Sequence, residues 1–159
     1  MARALIVGCG CRGRELGGEL ASLDWQVRGT SRDRPTPTRD AIEAAGFEAA
    51  PADPDRPGTV LEICGDVAVV VWLLGSATGE RDAVAAIHGP RLERLLEKLV
   101  DTPVRGFAYE VAGSVDPAVL AEGAEIVERA GETWRLVLTP DARRGAVTPP
   151  LAKPPADRN

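Results

Sequence analysis

At 159 residues the chain is long enough for one domain around a single well-buried core. A formal net charge of −5 leaves no basic footprint for nucleic acid, and no run of 18 apolar residues offers a membrane span. Three cysteines and one histidine supply neither a disulfide framework nor the four spaced ligands of a zinc site.

The chain begins Met1-Ala2-Arg3-Ala4-Leu5 and runs straight into strand residues. That leaves no room for a signal peptide, so the cytoplasm is the expected compartment. The apolar run at 4–7 passes into Gly8-Cys9-Gly10-Cys11-Arg12-Gly13, a Gly-x-Gly-x-x-Gly turn, and a helical pattern over 11–23 follows. Each glycine has its own task in a dinucleotide-binding turn. Gly8 permits the turn, Gly10 leaves a pyrophosphate unobstructed, and Gly13 lets the helix approach the strand. The free N–H groups and positive end of that helix would face the phosphates. Cys9 and Cys11 read as small residues in a tight turn. Cys11, near a helix N-terminus, is the one that could carry a reactive thiol.

A second strand is expected over 25–30, followed by Ser31-Arg32-Asp33-Arg34 and a loop marked by Pro35 and Pro37. Thr38 is the expected N-cap of a helix over 39–45, which Gly46 closes. A brief strand over 47–50 leads to Asp53, which is either an adenine contact or an ordinary loop cap. A short helix over 59–64 ends at Gly65. Residues 67–74 are apolar throughout, as a strand covered on both faces requires. The Gly75–Gly79 stretch ends that strand. A helical region over 80–100 should kink or restart at Gly89-Pro90. A fifth strand over 105–111, a helix opened by Asp116-Pro117 and ending near 131, and a sixth strand over 134–138 complete the series. Residues 1–140 form the expected domain, and 141–159 a proline-rich, loosely ordered tail.

Alternating strands and helices imply an α/β fold of the doubly wound, Rossmann type. It has three α/β/α layers and a parallel sheet ordered 3-2-1-4-5-6. Ligands on such a sheet bind over the C-terminal strand ends, so the loops after Val7, Thr30, Ala50 and Leu74 should form the cleft. The expected cofactor contacts are Gly8, Cys9, Gly10, Cys11, Arg12 and Gly13, then Thr30, Ser31 and Arg32, then Asp53, Leu74 and Gly75. At the end of the second strand an acid would hold the ribose hydroxyl of NAD. Thr30-Ser31-Arg32 instead suits the 2′-phosphate of NADP, because guanidinium pairs with phosphate through parallel hydrogen bonds. A shift of one or two residues would put Asp33 in the NAD position, and a solvated charged loop is the plainer alternative.

The turn Leu5-Ile6-Val7-Gly8-Cys9-Gly10-Cys11-Arg12-Gly13, the strand end Gly29-Thr30-Ser31-Arg32 and Trp72-Leu73-Leu74 carry a resemblance. Over about residues 1–140 the chain resembles the atypical short-chain dehydrogenase/reductases, in the subgroup related to nucleoside-diphosphate-sugar epimerases. The resemblance implies NADP binding and redox or epimerase chemistry on a small, often sugar-like, substrate. In active members, a serine near the end of the fifth strand and a Tyr-x-x-x-Lys pair polarise the substrate oxygen. Here the fifth strand ends Glu110-Val111-Ala112-Gly113-Ser114, so the usual serine position is apolar. Tyr109 is the sole tyrosine, Gly113 stands four residues beyond it, and the lysines are Lys98 and Lys153. The chain also stops where the family's substrate lobe begins.

Two functions remain open. One is a small NADP-dependent oxidoreductase of unusual mechanism, with Ser114, Tyr109 and Ser76 as candidate catalytic residues. The other is a non-catalytic dinucleotide-binding or sensing module, completed by a second subunit. Tyr109 also reads as a core aromatic, and His88 as a structural residue of a helix away from the cleft. The expected partners are a dinucleotide and a small-molecule substrate, with no nucleic acid and no membrane. Self-association into a homo-oligomer is left open.

Overall fold

Apolar and β-branched residues dominate 4–7 and 67–74, the segments that supply the two central strands, as a sheet covered on both faces demands. The computed structural model describes residues 1–32, 36–131 and 137–139. Its strands are β1 (Arg3–Val7), β2 (Gln26–Ser31), β3 (Glu48–Pro51), β4 (Val69–Trp72), β5 (Gly106–Glu110) and β6 (Val137–Thr139). Its helices are α1 (Cys11–Ser22), α2 (Pro37–Ala44), α3 (Pro57–Leu61), α4 (Arg81–Ile87), α5 (Pro90–Leu99) and α6 (Pro117–Gly131). The sheet order is β3-β2-β1-β4-β5-β6 and every described pairing is parallel. The doubly wound arrangement is therefore present, with the switch of direction between β1 and β4.

Each face of the sheet has its own core. Leu5, Val70, Trp72, Phe107 and Tyr109 point into a cluster with buried residues of α3, α5 and α6. Ala4, Ile6 and Val71 point the other way, beside Leu20 of α1 and Ile42 of α2. Trp72 is fully buried, and its indole Nε1–H donates to the Ile87 carbonyl at 3.3 Å. Among the described residues no helix is long and apolar enough to cross a membrane.

Several element boundaries differ from expectation, among them the short helix expected over 59–64, which is α3 at Pro57–Leu61. The N-cap of α2 is Thr36, not Thr38: the Thr36 hydroxyl accepts from the Arg39 N–H at 3.1 Å. Pro37, read from the sequence as a loop marker, occupies the first helical turn, where its missing N–H costs nothing. The long helical region restarts at Gly89-Pro90 as expected, dividing into α4 and α5, with Pro90 opening α5 in the same manner. Of the apolar run at 67–74 only Val69–Trp72 forms the strand, although Ala68 and Leu73 still donate to the Arg3 and Val7 carbonyls of β1. Asp33, Arg34, residues 134–136 of the expected sixth strand and the expected tail at 141–159 lie outside the described residues.

Candidate functional site

The site is built where β1 ends. Gly8 adopts φ +90°, and a Cβ there would overlap the Leu73 carbonyl oxygen in the loop after β4. Only glycine meets both conditions. The Gly10 N–H donates back to the Gly8 carbonyl at 2.9 Å, which completes the turn, and Arg14 N–H donates to the Gly10 carbonyl at 2.9 Å as α1 begins. Gly10 is the N-cap and offers no side chain, so nothing in the cap occupies the first N–H groups of α1. The first turn contains no acid. Arg12 and Arg14 add positive charge where the helix dipole is already positive.

Cys9 and Cys11 behave differently. Cys9 is buried beneath the turn with its sulfur against Gly29. Burial pushes its thiol up to about 11, against the pull of Arg14, so it is a packing residue. Cys11 is exposed.

Above the turn lies a cavity of about 730 Å³ over the C-terminal strand ends. Gly8 and Cys9 meet it at the switch between β1 and β4. Thr30, Ser31, Arg32 and Asp53 line one side, while Leu74, Thr78, Val84 and Ile87 line the other. Seven of the expected contacts thus share one cavity: Gly8, Cys9, Thr30, Ser31, Arg32, Asp53 and Leu74. Gly10, Cys11, Arg12, Gly13 and Gly75 stand outside its lining. Of these, Gly10 to Gly13 form the turn and the first turn of α1, and Gly75 packs against the Ala112 carbonyl. Asp53 also serves as a loop cap, its Oδ1 accepting from the Asp55 N–H at 2.9 Å. Sequence reading missed Thr36, Thr78, Val84 and Ile87. Thr36 and Thr78 enter the lining from loops and Val84 and Ile87 from α4, a placement that no local pattern reports.

The candidate catalytic residues fall elsewhere. Tyr109 is fully buried in β5, and its hydroxyl lies 2.7 Å from His88 Nδ1. The other ring nitrogen of His88 stands 2.9 Å from the Leu74 carbonyl, which can only accept, so Nε2 carries the proton and the tyrosine donates to Nδ1. Burial, then the charges of Glu110 and Glu122, push the tyrosine hydroxyl well above its usual range. This is a core aromatic tied to the wall of the cavity, not a group facing into it. Ser114 is exposed in the loop after β5, where its N–H donates to the Ser76 hydroxyl at 3.2 Å. Ser114, Tyr109 and Ser76 all stand outside the cavity lining. A further residue escaped the sequence reading: Glu110, buried at the end of β5 in ion-pair contact with Arg12.

The His88 position has a measurable consequence. Burial lowers its pKa below the ordinary 6.5, outweighing the Leu74 carbonyl, which acts to raise it. Below pH 6.5 the unfolded chain takes up a proton that the folded chain refuses, so stability falls as pH drops through that range. Denaturation measured from pH 7.5 to 5 should show this loss, and His88→Gln should flatten it. An equal slope in both proteins would place the pH dependence on other groups.

No protein-family model matches the chain, and no curated protein sequence matches it. Solved structures do. A candidate epimerase from Burkholderia cenocepacia J2315 superposes with a TM-score of 0.69 at 20% identity, over 86% of this chain and 52% of its own. A short-chain dehydrogenase/reductase superfamily protein from Agrobacterium tumefaciens with bound NAD gives 0.67 at 19%, over 86% and 48%. A candidate short-chain dehydrogenase/reductase from Burkholderia multivorans with bound NADP gives 0.63 at 15%, over 86% and 76%. The chain thus spans about half the length of the first two. At these identities the likeness is one of fold. The fold is the Rossmann-type fold seen in these short-chain dehydrogenase/reductase and epimerase structures.

Proposed function

We propose that the chain binds a nicotinamide dinucleotide, NADP(H) in preference to NAD(H), as a short-chain dehydrogenase/reductase-like protein. The observation that carries this is Gly10. A Cβ built there meets nothing within 4 Å, so an open space lies directly over the uncapped N–H groups of α1. A pyrophosphate has the charge and the acceptors those groups require. A cavity of about 730 Å³ also falls within the range of about 300–1,000 Å³ usual for cofactor sites.

Thr30, Ser31 and Arg32 would hold the adenosine end, where the guanidinium at the rim suits a 2′-phosphate. Leu74, Thr78, Val84 and Ile87 would form the wall beside the nicotinamide and limit water there. The cofactor supplies hydride transfer when bound, and the protein's part is to bind and orient. Any substrate is a small molecule, and its oxygen would have to be polarised without the usual tyrosine–lysine pair. A second reading, a dinucleotide-binding or sensing module without turnover, is supported by the placement of Tyr109, whose only hydroxyl is committed to His88 inside the core.

Titration calorimetry with NADPH and NADH tests the proposal. Arg32→Ala should weaken NADPH binding by about 1.5–3 kcal/mol, the range for a hydrogen bond to a charged group, and leave NADH nearly unchanged. Equal losses for the two coenzymes, or a parent protein that prefers NADH, would move the specificity away from Arg32.

A further inference from the structure

Glu110 is a costly residue to place where it stands. It ends β5, its side chain is 1% exposed, and neither carboxylate oxygen receives a hydrogen bond of ordinary geometry among the described residues. The charge set against it is the Arg12 guanidinium, in ion-pair contact through Nη2. Arg12 is the second residue of α1, and its side chain is 44% exposed. The pair therefore joins the first turn of the nucleotide-binding helix to the end of β5. Gly75 makes room for it, since a Cβ there would come within 3.0 Å of the Glu110 carboxyl carbon.

A buried carboxylate deprived of its one cation is strongly destabilising, so Arg12 stays with Glu110 whatever ligand arrives. A guanidinium has five N–H donors, and one carboxylate can engage only part of that fork. The remainder is presented at the exposed end of α1, beside the uncapped N–H groups and Gly10. An arginine held in place beforehand binds an anion without first losing the freedom of its long side chain.

We infer that Glu110 is a positioning residue of the dinucleotide site, holding Arg12 as a fixed donor to the pyrophosphate. This rests on the dinucleotide reading above. It adds a buried acid that improves the binding of an anion by acting through an arginine.

The experiment is a double-mutant cycle read by calorimetry, with NADPH and with inorganic pyrophosphate as separate probes, at two salt concentrations. Arg12→Ala and Glu110→Gln should each weaken binding of both probes by about tenfold or more. The combined variant, which removes the unpaired buried charge and so protects the fold, should be no weaker than the worse single variant. Arg12→Ala should also reduce the salt dependence of binding, and thermal melting of each variant checks the fold. A purely structural role would make Glu110→Gln weaken binding further in the Arg12→Ala background, and that additivity overturns the inference. Unchanged or tighter binding in Glu110→Gln overturns it too, since the acid would then be idle or competing, while the dinucleotide reading stands. Weakening confined to NADPH would show that Arg12 does not meet the pyrophosphate. Absence of wild-type binding to either probe would remove both proposals together.

Discussion

Gly10→Val is expected to leave the fold standing and to abolish stabilisation by NADPH. The glycine is an extended N-cap at φ −78°, and a Cβ there points into open space, so the folded chain has room for the new side chain. Exchanging one N-cap residue for another costs about 1 kcal/mol. The same space is where the pyrophosphate would lie, and a valine fills it. A ligand at 100 times its Kd adds about 2.7 kcal/mol of stability, which at about 2–4 °C per kcal/mol raises the melting temperature of a chain this size by about 5–11 °C. That shift should appear in the parent and vanish in the variant, while the unliganded melting temperatures stay close. A variant that kept the full NADPH shift would place the ligand somewhere other than over the glycine turn.

Gly13→Val separates the two roles of the same motif. Its Cβ would sit 2.9 Å from the Gly8 carbonyl oxygen and 3.2 Å from Ile6 Cγ2. The first of these is backbone inside the turn and cannot rotate aside, so α1 must lift from β1. Forced overpacking of this kind costs about 1–3 kcal/mol and occasionally more, a drop of about 2–12 °C in melting temperature. NADPH affinity should fall with it, because the helix end that aims the N–H groups is displaced. Thermal melting beside a titration reads both effects. A stable Gly13→Val protein would mean that the helix does not depend on that close contact.

These two residues also show how much the sequence disclosed. The glycine turn is a local pattern, with the strand before it and the helix after it in one continuous stretch, so its position and the sheet order could be read directly. The continuous apolar run at 67–74, which contains Val69–Trp72, marked a strand buried on both faces for the same reason. Thr36 was hidden because proline signals both a loop and the first turn of a helix, and only the hydrogen bond to Arg39 decides between them. Glu110 was hidden more deeply. In the sequence it is an ordinary polar residue at a strand end, and its burial and its pairing with Arg12 come from contacts between segments far apart in the chain. Tyr109 and His88 are a similar case: each is unremarkable alone, and the bond between them depends on α4 ending above β5.

The carbonyl of Leu73 closes over Gly8, and its N–H donates to the Val7 carbonyl at 2.8 Å. That contact has a consequence for the newborn chain. As it leaves the ribosome, β1, β2 and β3 can pair in the order in which they emerge, but the other edge of β1 must wait for β4. Until then the edge of β1, apolar from Ala4 to Val7, stands open, the kind of edge that invites pairing with a neighbouring chain. The first βαβ segment can close the hydrogen bond between Gly10 and Gly8 by itself, but the Leu73 carbonyl that packs over Gly8 arrives only with β4. The interval before the second half of the sheet has been made is when a nascent chain most needs shielding from its neighbours.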